Sequence, residues 1–407
     1  MAQPQQPVTT AKTDPSLPLA GYLVVTIEQA IAAPYCTRLL ADQGARVIKV
    51  ERPDGGDFAR SYDKRVHGEA SHFIWCNRSK ESLALDLKNP DSIKQLRKLI
   101  AQADVFIQNL APGTIEKLGL APAELRQLNP RLVTCSISGF GADGPYGTRK
   151  AYDLLIQAEA GFLSITGTPE APAKAGLSIA DTCAGVTAYH TILAALLKRG
   201  RTGVGDHVDV SMLEAMTEWM GYPLYYSIDG AEPPPRAGAG HATIYPYGPF
   251  PTADGIILFG LQNDREWAAF CNIVLEQPEM AEDPRFAGNV GRADHRDKID
   301  PVIRARLGSL TKQEAMTLLQ KAGIGTAEVR DMAGVWDHPQ LAARDCWDQI
   351  DTPGGRVPAL TPISGSSWQP RMDPVPALGE HTAKILAEID AYSDNPALLK
   401  NNKGNDL

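Results

Sequence analysis

Three carboxylates punctuate one stretch of the chain, residues 150–181: Asp153, Glu170 and Asp181. An ionised carboxylate held beside an electrophilic carbonyl can act as a covalent nucleophile or a general base. Glu170 sits in Thr-Gly-Thr-Pro-Glu-Ala-Pro, where Gly167, Pro169 and Pro172 rule out a regular helix or strand. A stiff loop of this kind aims a side chain with little conformational freedom; the alternative is a surface turn glutamate. Asp181 opens an apolar helical pattern and has a second reading as the N-cap of that helix. The small residues at 237–241 could bring backbone N–H groups, those of Gly238 and Gly240 among them, close to a developing oxyanion, or could form a flexible connection. Positive residues collect elsewhere, at Lys49, Arg52, Arg60, Lys64, Arg65, Arg78 and Lys80, in a chain of net charge −8. That local excess suggests a bound polyanion, with a solvated face as the alternative.

The elements that must position these groups follow from hydrophobic periodicity. Residues 22–26, 46–50, 82–87, 105–110 and 132–138 are short apolar runs, the pattern of buried strands. Residues 32–43 and 90–102 carry helical spacing between them, the first with Pro34 near its start and Gly44 as its stop. Alternating strands and helices predict an α/β fold with a doubly wound parallel sheet. Residues 51–57 then form a polar loop at the C-terminal end of a strand, where open α/β sheets bind ligands. Gly139, Gly141 and Gly144 match the spacing of a dinucleotide fingerprint, but Pro145 and Gly147 break any helix that would begin there. The stretch reads as a loop. Residues 181–197 form a helix, residues 207–211 a strand and residues 212–219 another helix.

With 407 residues and 43% hydrophobic content, the chain is long enough for two domains and apolar enough to bury their cores. Its acidity argues against a nucleic-acid partner. No apolar run approaches a membrane span, and the N-terminus lacks a secretory h-region, so residues 1–18 read as a disordered polar tail. Cys36, Cys76, Cys135, Cys183, Cys271 and Cys346 show no metal-ligand spacing, which predicts a reduced, cytoplasmic protein without a metal site.

Several segments, in order, resemble the family III CoA-transferases (the CaiB/BaiF family, with formyl-CoA and carnitine CoA-transferases). They are Ala32-Ala33-Pro34, Val47 through Pro53 with the following Gly-Asp, residues 109–119 (NLAPGTIEKLG), Ser138 through Gly141 with Gly144-Pro145, and residues 209–215 (DVSMLEA). His338-Pro-Gln-Leu and Gly379-Glu-His-Thr complete the set. The resemblance implies a Rossmann-like large domain from residues 19–220 plus 331–407, a smaller α+β domain from 221–330, and an interlocked homodimer. It implies coenzyme A or acyl-CoA as substrate, with no prosthetic group, and CoA contacts at Ala32, Arg52, Lys80, Asn109, Leu110 and Lys117. In the family a loop aspartate attacks the thioester, and Glu170 matches it one methylene longer, with Asp153 and Asp181 as the other candidates. The acceptor is expected to be a small carboxylic acid, best a dicarboxylate of the itaconate, glutarate or mesaconate type, its second carboxylate met by Arg60, Arg78 or Arg236. Two rival readings remain. α-Methylacyl-CoA racemases share the fold but carry His-Asp where this chain has Tyr152-Asp153, and Tyr152 is a poor base at neutral pH. A catalytically inactive CoA-binding protein is the other.

Overall fold

The computed structural model describes residues 14–394 of the chain, with side chains through residue 391. The chain divides into two compact units: Met1–Ala160, Gly176–Trp219 and Gln340–Leu407 in the first, Gly161–Ala175 and Met220–Pro339 in the second. Segment 161–175, expected in the large domain, therefore groups with the second unit.

In the first unit, β1 (Leu23–Ile27), α1 (Ala32–Asp42) and β2 (Arg46–Glu51) form the opening strand–helix–strand. Then come α2 (Ser71–Asn77), β3 (Lys80–Ala84), α3 (Pro90–Ile100), β4 (Val105–Gln108), α4 (Thr114–Lys117), α5 (Pro122–Leu128) and β5 (Val133–Ser138). After α6 (Asp153–Glu159), the chain leaves for the second unit through α7 (Phe162–Ile165) and returns in α8 (Ile179–Thr202), β6 (His207–Ser211) and α9 (Met212–Trp219). The six strands pair in parallel in the order β3-β2-β1-β4-β5-β6. This is the doubly wound order, whose direction reverses between β1 and β4.

The strands read as continuous apolar runs because helices cover both faces of the sheet. Val25, Ile27, Ile48, Val50, Leu83 and Phe106 pack with Leu96 and Ile100 of α3, Leu125 of α5, and Ile385 and Ile389 of the C-terminal helix Thr382–Asp394. α3 starts where local chemistry says it should. Asn89 accepts from the Asp91 N–H, Pro90 occupies the first turn, and Arg97 and Lys98 sit in the last. α8 ends at Gly203 with φ 72°, a left-handed stop. α8 is also the one helix, among the described residues, long and apolar enough to cross a membrane, which qualifies the expectation of no such run. It packs against α1, α6, α9 and β5 as a core helix.

The glycine-spaced loop after β5 starts no helix until Asp153. Gly139 is required there, since a Cβ would lie 2.0 Å from that of Ala151. The expected polar tail, residues 1–18, falls partly among the described residues. Residues 1–13 lie outside the described set, while the Leu17 N–H donates to Asp14 O and the Leu17 side chain is buried. The polar stretch NNKGNDL at 401–407 also lies outside the described residues.

The second unit has α10 (Gly221–Tyr226) and a three-stranded antiparallel sheet of β7 (Tyr247–Thr252), β8 (Gly255–Gly260) and β9 (Thr326–Glu328). Its core is Phe250, Ile257, Phe259, Trp267, Phe270, Ile303 and Leu319. A separate hairpin, β10 (Trp347–Thr352) and β11 (Gly355–Leu360), belongs to the first unit.

Candidate active site

At the reversal point of the sheet, the loops leaving β1 and β4 are tied together. The Asn109 side chain accepts from the Gln29 N–H and donates to the Gln29 carbonyl, each at 2.9 Å. The next residue, Ala30, has φ 61°, a left-handed conformation that L-residues avoid. Its N–H donates to Asp57 Oδ1 at 3.0 Å, so the unfavourable backbone is held from two sides. Asn109 thus has its amide engaged within the protein rather than offered to a ligand.

Beneath this loop lies a buried charge network. The Lys49 ammonium donates to Asp57 Oδ2 at 2.7 Å and Glu28 Oε1 at 3.2 Å. The Lys80 ammonium donates to Glu28 Oε1 at 2.7 Å and, at 2.9 Å each, to the Pro34 carbonyl and Asn77 Oδ1. Thr26 and Thr37 hydroxyls fill the other Glu28 oxygen. Burial alone would raise the Glu28 carboxyl, but Lys80 and Lys49 outweigh it and hold it at about 2. Burial pushes the Lys80 ammonium down to about 8 against the pull of Glu28. Lys80 was expected to contact CoA; its ammonium is fully enclosed and spent on three internal acceptors. Ala32 is buried, Leu110 is half-buried, and Arg52 and Lys117 are exposed. Arg52 Nε donates to the Gly56 carbonyl.

The two aspartates lie a short distance along the same unit. Asp153, at the start of α6, accepts from the Ala180 N–H at 2.8 Å and the Asp181 N–H at 3.3 Å through Oδ1, and from Gln157 Nε2 at 2.6 Å through Oδ2. Asp181 is therefore not the N-cap of α8. Ser178 holds that position without a side-chain bond, and Asp153 supplies the acceptor. The Asp181 carboxyl is half-buried and is pushed up to about 7, first by burial and then by the negative charge of Asp153. Burial and the Asp57 and Asp181 carboxylates, with Tyr152, push the Tyr62 hydroxyl up to about 12. Tyr62 and Asp57 carry no sequence signal of their own beyond the polar loop after β2.

Glu170 has the opposite environment. It is exposed at the tip of a tight turn in which the Thr168 N–H donates to Ala171 O and the Ala171 N–H to Thr168 O. Its own N–H and the Thr168 hydroxyl, with Arg236 beyond, hold it below the usual carboxylate range. Arg236 Nε and one Nη donate to the Thr168 and Pro169 carbonyls at 2.9 and 3.0 Å. The Gly238 N–H donates to Gly167 O and the Gly240 N–H to Ala237 O, so neither is a free oxyanion donor. Of the other two arginines proposed for the acceptor, Arg60 is forked onto Glu51 and Arg78 onto Asp42.

A profile of CoA-transferase family III matches residues 19–382. The chain belongs to CoA-transferase family III. It is 36% identical over 385 residues to the succinate–glutarate CoA-transferase of Agrobacterium fabrum, covering 92% of this chain and 96% of that protein. It is 35% identical over 382 residues to the succinyl-CoA:mesaconate CoA-transferase of Haloarcula hispanica, covering 90% and 94%. A solved CaiB/BaiF family protein from Brucella suis matches with a TM-score of 0.80 at 34% identity, over 92% of this chain and all of that one. As a family III CoA-transferase, the chain is an enzyme whose substrates are CoA thioesters and carboxylic acids, and the racemase and inactive readings give way to it.

Proposed function

We propose that this enzyme moves coenzyme A from succinyl-CoA to a small dicarboxylic acid of the glutarate, mesaconate or itaconate type, with Asp181 as the nucleophile. The observation that carries the second part is the paired, half-buried Asp153–Asp181 site, where the Asp181 carboxyl is pushed up to about 7. A desolvated carboxylate is more basic and more nucleophilic than a hydrated one. Exposed Glu170, held below the usual range, has neither property. The acceptor class rests on the relatives named for glutarate and mesaconate.

The ionised Asp181 oxygen attacks the thioester carbonyl, and the carbon–sulfur bond breaks to release CoA thiolate and leave an acyl-aspartyl anhydride. The thiolate then attacks the aspartyl carbonyl, expelling the donor acid and leaving an aspartyl-CoA thioester. The acceptor carboxylate attacks that thioester, and CoA thiolate attacks the acceptor side of the new anhydride, which regenerates Asp181. Each tetrahedral intermediate bears an oxyanion that needs donors close by. A second acceptor carboxylate calls for a cation.

Exposed Tyr152, Leu154, Leu155 and Leu177 in the first unit, and Tyr222, Leu224, Tyr225 and Ile228 in the second, favour a homodimer. Six free thiols favour a cytoplasmic setting. The deciding experiment compares Asp181→Asn and Glu170→Gln with succinyl-CoA and glutarate. Asp181→Asn should lose about four orders of magnitude in kcat. Glu170→Gln should stay within about threefold, since it removes an exposed, screened charge. The reverse ranking would refute the assignment.

A further inference from the structure

The chain leaves the first unit after Ala160 and re-enters it at Gly176, a few residues ahead of Asp181. The residue that opens a helix commonly holds the first-turn N–H groups through an N-cap side chain. Here Ser178 offers no side-chain bond. The first-turn N–H groups of Ala180 and Asp181 are instead taken by a carboxylate 27 and 28 residues upstream. Both Asp153 oxygens are committed, the second to Gln157 Nε2 one turn along α6. Gln157 is itself fully buried, so the anchor has a fixed footing.

We propose that Asp153 is a positioning residue: its carboxylate bridges α6 to the first turn of α8, fixing where the Asp181 side chain emerges and keeping a negative charge beside it. The consequence is that the nucleophile is registered by the departing helix rather than by the segment that precedes it in sequence. The helix that the chain leaves by, α6, and the first turn of α8 that it returns to are joined at one carboxylate. The same charge delays ionisation of Asp181, which makes its carboxylate more basic when it attacks. Within the first unit, Asp153 from α6 and Tyr62 from the loop after β2 are the titratable groups that bear on Asp181. α1 and α9, which also pack on α8, bring no charge to it.

This inference rests on Asp181 being the nucleophile, and the experiment separates the two. The full-length enzyme and its Asp153→Ala, Asp153→Asn and Asp181→Asn variants are assayed with succinyl-CoA and glutarate from pH 5 to 9, and acyl-enzyme is trapped for peptide mass spectrometry. Asp153→Ala removes bridge and charge, so kcat should fall by about 10- to 100-fold, with the succinyl-CoA KM within about twofold. Asp153→Asn keeps the Oδ1 acceptor but not the charge. Its kcat should fall less than that of the alanine variant, and the acid-side midpoint of kcat/KM should drop by about one pH unit. An unmoved midpoint in Asp153→Asn overturns the proposal, and that variant alone decides if the alanine variant does not fold. A loss in Asp153→Asn as complete as in Asp181→Asn, with label on Asp153, also overturns it, because Asp153 would then react itself. Full activity in Asp181→Asn, or label on another residue, overturns the underlying assignment whatever the Asp153 variants do.

Discussion

Replacing Lys80 with alanine should cost stability, and the loss should not respond to salt. The ammonium is completely enclosed and donates to Glu28, the Pro34 carbonyl and Asn77 at 2.7 to 2.9 Å. Its removal leaves Glu28 with Lys49 at 3.2 Å and two hydroxyl donors, so that carboxylate is weakened rather than orphaned. The Pro34 carbonyl and the Asn77 oxygen lose this donor, at about 1–3 kcal/mol each when buried. Breaking a buried ion pair from one side costs about 3–5 kcal/mol. Both routes give roughly 3–5 kcal/mol, which in a unit of this size lowers the melting temperature by roughly 6–20 °C. The assay is thermal unfolding at 0.05 and 1 M NaCl beside the KM for succinyl-CoA. A contact with CoA phosphate would give the other result: a normal melting temperature, and a raised KM whose increase shrinks as the Debye length falls from about 14 to about 3 Å. That result would refute the network reading and restore Lys80 to the CoA site.

Arg52→Ala and Lys117→Ala remove exposed cations, so each should raise the succinyl-CoA KM by about two- to fivefold at low salt and hardly at all at 1 M NaCl; a salt-independent change in either would exclude a phosphate contact. As the proposed nucleophile, Asp181 must be ionised to attack, so kcat/KM should fall about tenfold per pH unit below about 7 and level off above it, and a flat profile from pH 5 to 8 would contradict that role. Its raised value also disfavours the charged native state. The stability this group contributes is full below the ordinary 3.8 and lost as pH rises through about 7. Asp181→Asn should therefore melt above the wild type at pH 8, by a margin that narrows towards pH 4. Gly185→Ala places a Cβ 2.7 Å from the Ala32 carbonyl, where α8 crosses α1. The overpacking, about 1–3 kcal/mol, outweighs the roughly 1 kcal/mol of helix propensity gained, so both melting temperature and kcat should fall.

The parallel sheet was legible because strands buried on both faces leave unbroken apolar runs, and β1 to β5 each lie within a few residues of the expected segment. The loop nature of the glycine-spaced segment was legible too, since Pro145 and Gly147 act locally. What escaped depends on partners far apart in sequence. Lys80 looks like any lysine in a basic cluster until Glu28, 52 residues away, closes on it. Asp181 looks like an N-cap until Asp153 takes the N–H groups. Loop stiffness, which singles out Glu170, is visible in sequence, whereas burial and the like-charged neighbour that raise the Asp181 carboxyl have no local signature.

The loop after β1 shows why so much buried charge is concentrated at this corner. Ala30 in the left-handed region costs about 1–2 kcal/mol, and a glycine there would remove the cost. The chain keeps alanine and restrains it with Asp57 from the β2 side and Asn109 from the β4 side. Asp57 is held in turn by Lys49, and Lys49 shares Glu28 with Lys80, which grips the Pro34 carbonyl in the first turn of α1. That turn is the surface on which Gly185 of α8 rests, one helical turn beyond Asp181. A continuous line of contacts therefore runs from the reversal point of the sheet to the helix that carries Asp181, the proposed nucleophile. Glycine at position 30 would keep the backbone N–H that donates to Asp57 and leave the Asn109–Gln29 bonds intact, so it would relieve the strain without cutting the line.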